Sequence, residues 1–129
     1  MEITAGLSFT AETIVNETNI ASAVGSGLVD VFATPMMIAL LELAASDCLK
    51  PCLKEGQASV GTVVNVSHTA ATPVGMQVWA TATVTAVDRR RVDFDVIVKD
   101  EAGDIGKGTH TRFVIDVEPF TQKAQQRGQ

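Results

Sequence analysis

"VFATPMMIALLELAASDCL", residues 31–49, carries one helix that starts at Thr34, and that reading decides the fold. Met37, Leu40, Leu41, Ala44, Ala45 and Cys48 recur at helical spacing and mark one apolar side. Met36, Ala39 and Leu43 make the opposite side apolar as well, and from 35 to 45 the only charge is Glu42. A helix apolar all round is expected to be enclosed by protein. Thr34 offers a hydroxyl at the N-cap position, Pro35 suits the first helical position, and Pro51 ends the run.

Outward from this helix the pattern changes to strands. Upstream, residues 7–15 alternate, with Leu7, Phe9, Ala11, Thr13 and Val15 on one side, and residues 16–31 read as a loop with short helical turns. Downstream come four long alternating runs. Residues 59–68 place Val60, Thr62, Val64, Val66 and His68 on one face. Residues 76–87 place Met76, Val78, Ala80, Ala82, Val84 and Ala86 together, and residues 91–98 do the same for Val92, Phe94, Val96 and Val98. Residues 105–115 align Gly106, Gly108, His110, Arg112 and Val114, where strand glycines point to a close approach by another part of the molecule. "DRRR" and "DEAGD" are hairpin connections, and the polar stretch 118–129 reads as a fraying tail. The order is strand, apolar helix, four antiparallel strands. That is an α+β layer architecture in which a curved sheet wraps one helix, the hot-dog arrangement. Such a sheet keeps an open edge and leaves one side of the helix partly uncovered, so a twofold homodimer is expected, one that can pair again as a dimer of dimers.

The composition narrows the function. The chain of 129 residues fits one domain, 1–129, with room for a core without staples. A net charge of −5 is the wrong sign for a nucleic-acid binder. "MEITAGLSF" lacks the basic and apolar regions of a leader, and no apolar stretch is long enough to span a bilayer. A cytoplasmic protein is the expectation, with no membrane contact and with Cys48 and Cys52 as reduced thiols. Those cysteines with His68 and His110 match no standard zinc spacing, so neither a metal nor an organic cofactor is expected.

Three residues stand out chemically. Glu42 is a carboxylate among leucines and alanines, where lost solvation demands a partner or a function. His68 ends a strand just before the turn residues Thr69, Thr72, Pro73 and Gly75, which places its imidazole at a rim. Thr34 stands beside the free N–H groups of a helix start, a setting that can hold an oxyanion. His110 reads as structural, with a place lining the site or a dimer seam as the alternative. Arg112 reads as a partner for a carboxylate or phosphate oxygen, and Arg89–Arg91 as a solvated hairpin tip, with phosphate contact as the alternative.

"VFATPMMIALLELA", "GTVVNVSHTAATPVG" and "IGKGTHTRFVI" together resemble the fluoroacetyl-CoA thioesterase-like family of hot-dog proteins, over about residues 7–120. Pro35 after Thr34 departs from the small residue expected there. The resemblance implies a catalytic set of Thr34, Glu42 and His68, a substrate-facing backbone at Gly61, and a binding-site arginine at Arg112. It implies acyl-CoA thioester hydrolysis, with coenzyme A present only as part of the substrate. Two competitors are a non-catalytic acyl-CoA-binding module and an acyl-CoA hydratase. The hydratase reading lacks the Asp and His, five apart near the helix start, that its chemistry uses, since the only histidines are His68 and His110. From the residues alone, Met36, Met37, Leu28, Val29 and Phe32 are expected to line the acyl site.

Overall fold

A computed structural model describes all residues, 1–129. Its elements are β1 (Ser8–Ile14), a short α1 (Ala21–Val24), α2 (Thr34–Leu49), β2 (Gln57–His68), β3 (Gln77–Asp88), β4 (Arg91–Asp100), β5 (Gly103–Asp116) and α3 (Val117–Arg127). The strands form one antiparallel sheet in the order β1-β3-β4-β5-β2, curved around α2 as expected of the hot-dog arrangement.

The periodicity of α2 is carried into packing. Met37, Leu40, Leu41, Ala44, Ala45, Cys48 and Leu49 are all buried. They meet Val78, Ala80, Ala82 and Val84 of β3 and Val92, Phe94, Val96 and Val98 of β4 in one hydrophobic core. The alanines of β3 leave room for the helix to lie close to the sheet. The opposite side of α2 is not enclosed: Ala39 is exposed and Leu43 is 50% exposed. One sheet covers one face of a helix, and this chain has no second layer to cover the other.

Four local expectations are corrected. Ala33, not Thr34, is the N-cap residue, and Pro35 falls one position further into the first turn. Pro35 is tolerated there because first-turn N–H groups have no intrahelical acceptor. The Thr34 hydroxyl makes no capping bond and is left for other use. In β2 the alternation from Val60 through Thr62 to His68 is interrupted by a β-bulge between Gly61 and Val63. One extra residue reverses the side-chain phase. Ser59 and Gly61, opposite Val114 and Arg112, therefore share the helix-facing side with Val64, Val66 and His68. A second bulge between Val84 and Ala86 leaves Ala86 exposed. At the C-terminus, helix α3 replaces the expected fraying tail, and none of its residues is buried.

Gly106 explains the glycine pattern in β5. A Cβ there would lie 2.8 Å from both the Met37 Sδ and the Ser67 carbonyl oxygen. Gly106→Ala should therefore destabilise the protein by about 1–3 kcal/mol, the usual cost of overpacking, as measured by chemical denaturation.

Candidate active site

The Thr34 Oγ1 lies 2.8 Å from the His68 Nδ1. The first turn of α2 and the end of β2 bring them together, and the isolated bridge between Val31 and Pro73 ties their neighbouring loops. Both residues rim a recess of about 340 Å³, whose walls include Val29, Phe32, Ala70 and Ala71. Of the five residues expected at the acyl site, Val29 and Phe32 line this recess and Met36, Met37 and Leu28 do not. Met37 is wholly buried in the core, and Leu28 is 97% exposed. Met36 lines a separate recess with Thr13 and Leu43.

The other imidazole nitrogen of His68, Nε2, is buried and makes no hydrogen bond. Burial holds the His68 pKa below its ordinary value, and the backbone of Ala70 partly offsets this. The ring is therefore neutral at pH 7, with a lone pair to accept a proton.

Glu42 does not join this pair within one chain. It lies eight residues beyond Thr34, about 12 Å along the helix axis. Its Oε2 is 3.5 Å from the Arg112 Nη1. Gly61 is the floor of this second cluster. A Cβ there would lie 2.5 Å from the Glu42 Oε2, 3.1 Å from the His110 Cε1 and 3.4 Å from the Arg112 Nη1. The Glu42 side chain is 40% exposed, whereas that of Arg112 is only 7% exposed. The expectation that Arg112 meets a carboxylate is met by Glu42 itself. The guanidinium also donates from Nε to the Ser59 Oγ at 2.8 Å and from Nη2 to the Ser59 carbonyl at 2.9 Å. Its burial lowers the Arg112 pKa, which Glu42 counteracts, and the group stays charged.

Ser59 was not singled out in the sequence. Only the bulge brings it onto the face of Arg112, and a lone serine in a strand carries no such signal. Elsewhere, Arg90 pairs with Asp116 at 3.1 Å and Arg91 with Asp93 at 3.6 Å, as expected of a charge-balanced hairpin tip. Cys48 and Cys52 are free thiols, and burial, then Cys52, raises the Cys48 pKa. No cluster of three or more His, Cys, Asp and Glu is placed to hold a metal ion. No helix is long and apolar enough to cross a membrane.

The family model described as "Fluoroacetyl-CoA-specific thioesterase" matches residues 15–118, a span that contains both clusters. The chain belongs to this family. A curated fluoroacetyl-CoA thioesterase from Streptantibioticus cattleyicolor is 43% identical over 98 residues, covering 76% of this chain and 70% of that one. A solved fluoroacetyl-CoA thioesterase superposes with a TM-score of 0.93 at 35% identity, covering 98% of both chains. A thioesterase superfamily member from Thermus thermophilus gives 0.87 at 28% identity, covering 97% of this chain and 95% of that one.

As a member of the fluoroacetyl-CoA-specific thioesterase family the chain is a thioester hydrolase, and its two histidines give it a pH signature. The pKa values of His68 and His110 are both lowered, chiefly by burial. An unfolded histidine takes up its proton near pH 6.5. Between that pH and the lower folded values the unfolded state binds more protons, so stability rises with pH. The melting temperature should therefore fall as pH drops below about 6.5, and be level above it. Calorimetry from pH 8 to pH 5 measures this, and a flat profile would contradict the burial of the two rings.

Proposed function

We propose that this chain hydrolyses a short-chain acyl-CoA to the free acid and coenzyme A, with Thr34, His68 and Glu42 as the catalytic set. The observation that carries the reading is the 2.8 Å pair of Thr34 and a half-buried His68, its pKa held below the ordinary value, at the rim of a small recess.

A proton on Nε2 leaves Nδ1 as the acceptor for the Thr34 hydroxyl. His68 is then the general base that draws a proton through Thr34 as oxygen attacks the thioester carbonyl. At the helix start Pro35 brings no N–H, and the amides of Met36 and Met37 turn onto the Ala33 carbonyl. The Thr34 amide remains to steady the developing oxyanion, helped by the helix dipole. As the tetrahedral centre collapses, the C–S bond breaks and the imidazolium returns a proton to the leaving thiolate. With water as the attacking oxygen this releases the free acid. With Thr34 as the attacking oxygen a second attack, by a water that His68 deprotonates, cleaves the acyl-threonine ester to give the acid and restore the hydroxyl.

Glu42 enters this scheme from a second copy. Strand β2 is an unpaired edge of twelve residues, with Val63 52% and Val64 37% exposed. A long apolar edge of this kind favours pairing with another chain. An antiparallel pairing about a twofold axis between Val64 and Asn65 sets Gly61 opposite the partner's His68. Glu42 then stands near the Thr34–His68 pair of the other copy, where its charge stabilises the imidazolium. The exposed side of α2, with Ala39 and Leu43, is covered in the same homodimer.

A recess of about 340 Å³ suits a small acyl group, and the activity named for the relatives makes fluoroacetyl-CoA a natural first substrate beside acetyl-CoA. Free-thiol release from acyl-CoAs of two to eight carbons tests the reading. The expected result is the highest kcat/KM at two to three carbons. No turnover of any member, or a stable monomer by sedimentation at micromolar concentration, would overturn it.

A further inference from the structure

His110 is wholly enclosed, at 1% exposure, and stacks on Phe94 with ring centroids 6.1 Å apart. Both its nitrogens are engaged. The Nδ1 lies 2.7 Å from the Val63 carbonyl oxygen, which can only accept, so Nδ1 carries the proton. The Nε2 is then a bare acceptor, 3.2 Å from the Arg112 Nη1, which can only donate. Arg112 is thereby fixed on three sides. Ser59 takes the Nε and Nη2 protons, His110 takes one Nη1 proton, and the other Nη1 proton points to the Glu42 carboxylate.

The bulge in β2 belongs to this arrangement. It inserts Thr62 between the pairs Gly61–Arg112 and Val63–Thr111, and it is the Val63 carbonyl beside it that receives the imidazole proton.

We propose that His110 is a positioning residue for thioester hydrolysis: as a neutral Nδ1–H tautomer it aims the Arg112 guanidinium, which in turn holds the Glu42 carboxylate against Gly61. This rests on the reading in which Glu42 serves the reaction. Protonation of His110 would set a donor against a donor at Nη1 and place two cations in contact. The charged groups facing the ring are Arg112 from its own strand and Glu42 from α2. Phe94 on β4 and Val63 and Val64 on β2 bring none.

The first test needs no activity. Nitrogen-15 NMR of the histidine rings at pH 7.5 should show one imidazole with a protonated Nδ1 and a bare Nε2 that shifts when Arg112 is replaced by Lys. A proton on Nε2 of His110 would overturn the proposal.

The second test is kinetic. His110→Phe keeps the volume but offers no acceptor, and should lower kcat by 10–100-fold with KM changed less than threefold. His110→Gln can present its Oε1 to Arg112 and should recover most of that loss. In a Glu42→Gln background His110→Phe should cost less than threefold further, because the carboxylate it positions is gone. Losses that multiply in full, or a His110→Gln variant no better than His110→Phe, would overturn the proposal even where one variant folds poorly. If Glu42→Gln alone retains full turnover, the functional reading fails instead, whatever the tautomer of His110.

Discussion

His68→Ala should lower turnover of the best acyl-CoA by roughly 10²–10⁴-fold, the usual contribution of a positioned general base. The ring is half-buried with its Nδ1 on Thr34, and no other side chain lining the recess is a base at neutral pH. The fold should survive, because His68 ends its strand and lies beside the recess rather than in the core. The pH profile carries the same information. Activity should fall as pH drops through the folded pKa of His68, which lies below the ordinary histidine value, and the variant should lose that limb. Thr34→Ala assigns the attacking oxygen. A loss matching His68→Ala gives that role to Thr34, and a smaller loss gives it to water. Wild-type turnover in the His68→Ala variant would remove this residue from the mechanism.

The second large effect is expected at the Gly61 cluster. Gly61→Ala puts a methyl group 2.5 Å from the Glu42 Oε2, so the carboxylate must leave its place beside Arg112. Turnover should fall by about 10²-fold or more, on the scale of losing a charged catalytic partner. Glu42→Gln should cost a similar factor without moving the backbone. Its effect on stability follows from the geometry. Glu42 is the charge partner of a buried Arg112, and removing one member of such a pair leaves the other uncompensated. The melting temperature should fall by a few degrees rather than rise, since the carboxylate itself is partly solvated. Parallel steady-state kinetics and calorimetry of both variants measure this. A Gly61→Ala enzyme with unchanged kcat would show that Glu42 need not stand against Gly61.

The elements of the fold were legible because each repeats a simple period. The spacing from Met37 to Cys48 fixed the helix and its buried side. The alternation of Val92, Phe94, Val96 and Val98 fixed a strand and its inward face. The helix in the C-terminal segment was not legible. Val117–Arg127 forms α3 without burying any residue, so no apolar face announces it. The half-exposed Leu43 agrees with the expectation that a single sheet leaves one side of α2 partly uncovered.

For the candidate site, the sequence by itself supplied the candidate groups. It singled out one carboxylate in an apolar helix, one histidine at a strand end, one threonine at a helix start and one arginine in a strand, and the family resemblance added Gly61. Tertiary structure alone decided which of them meet. Thr34 and His68 pair within one chain, while the helix carries Glu42 about 12 Å away, because its rise is fixed at 1.5 Å per residue. The bulge before Val63 decided the rest. A single inserted residue reverses which side chains face the helix, and pairing sets it rather than composition. That reversal brings Ser59 and Gly61 under Arg112 and Glu42, contacts that the alternation of β2 assigned to the other face.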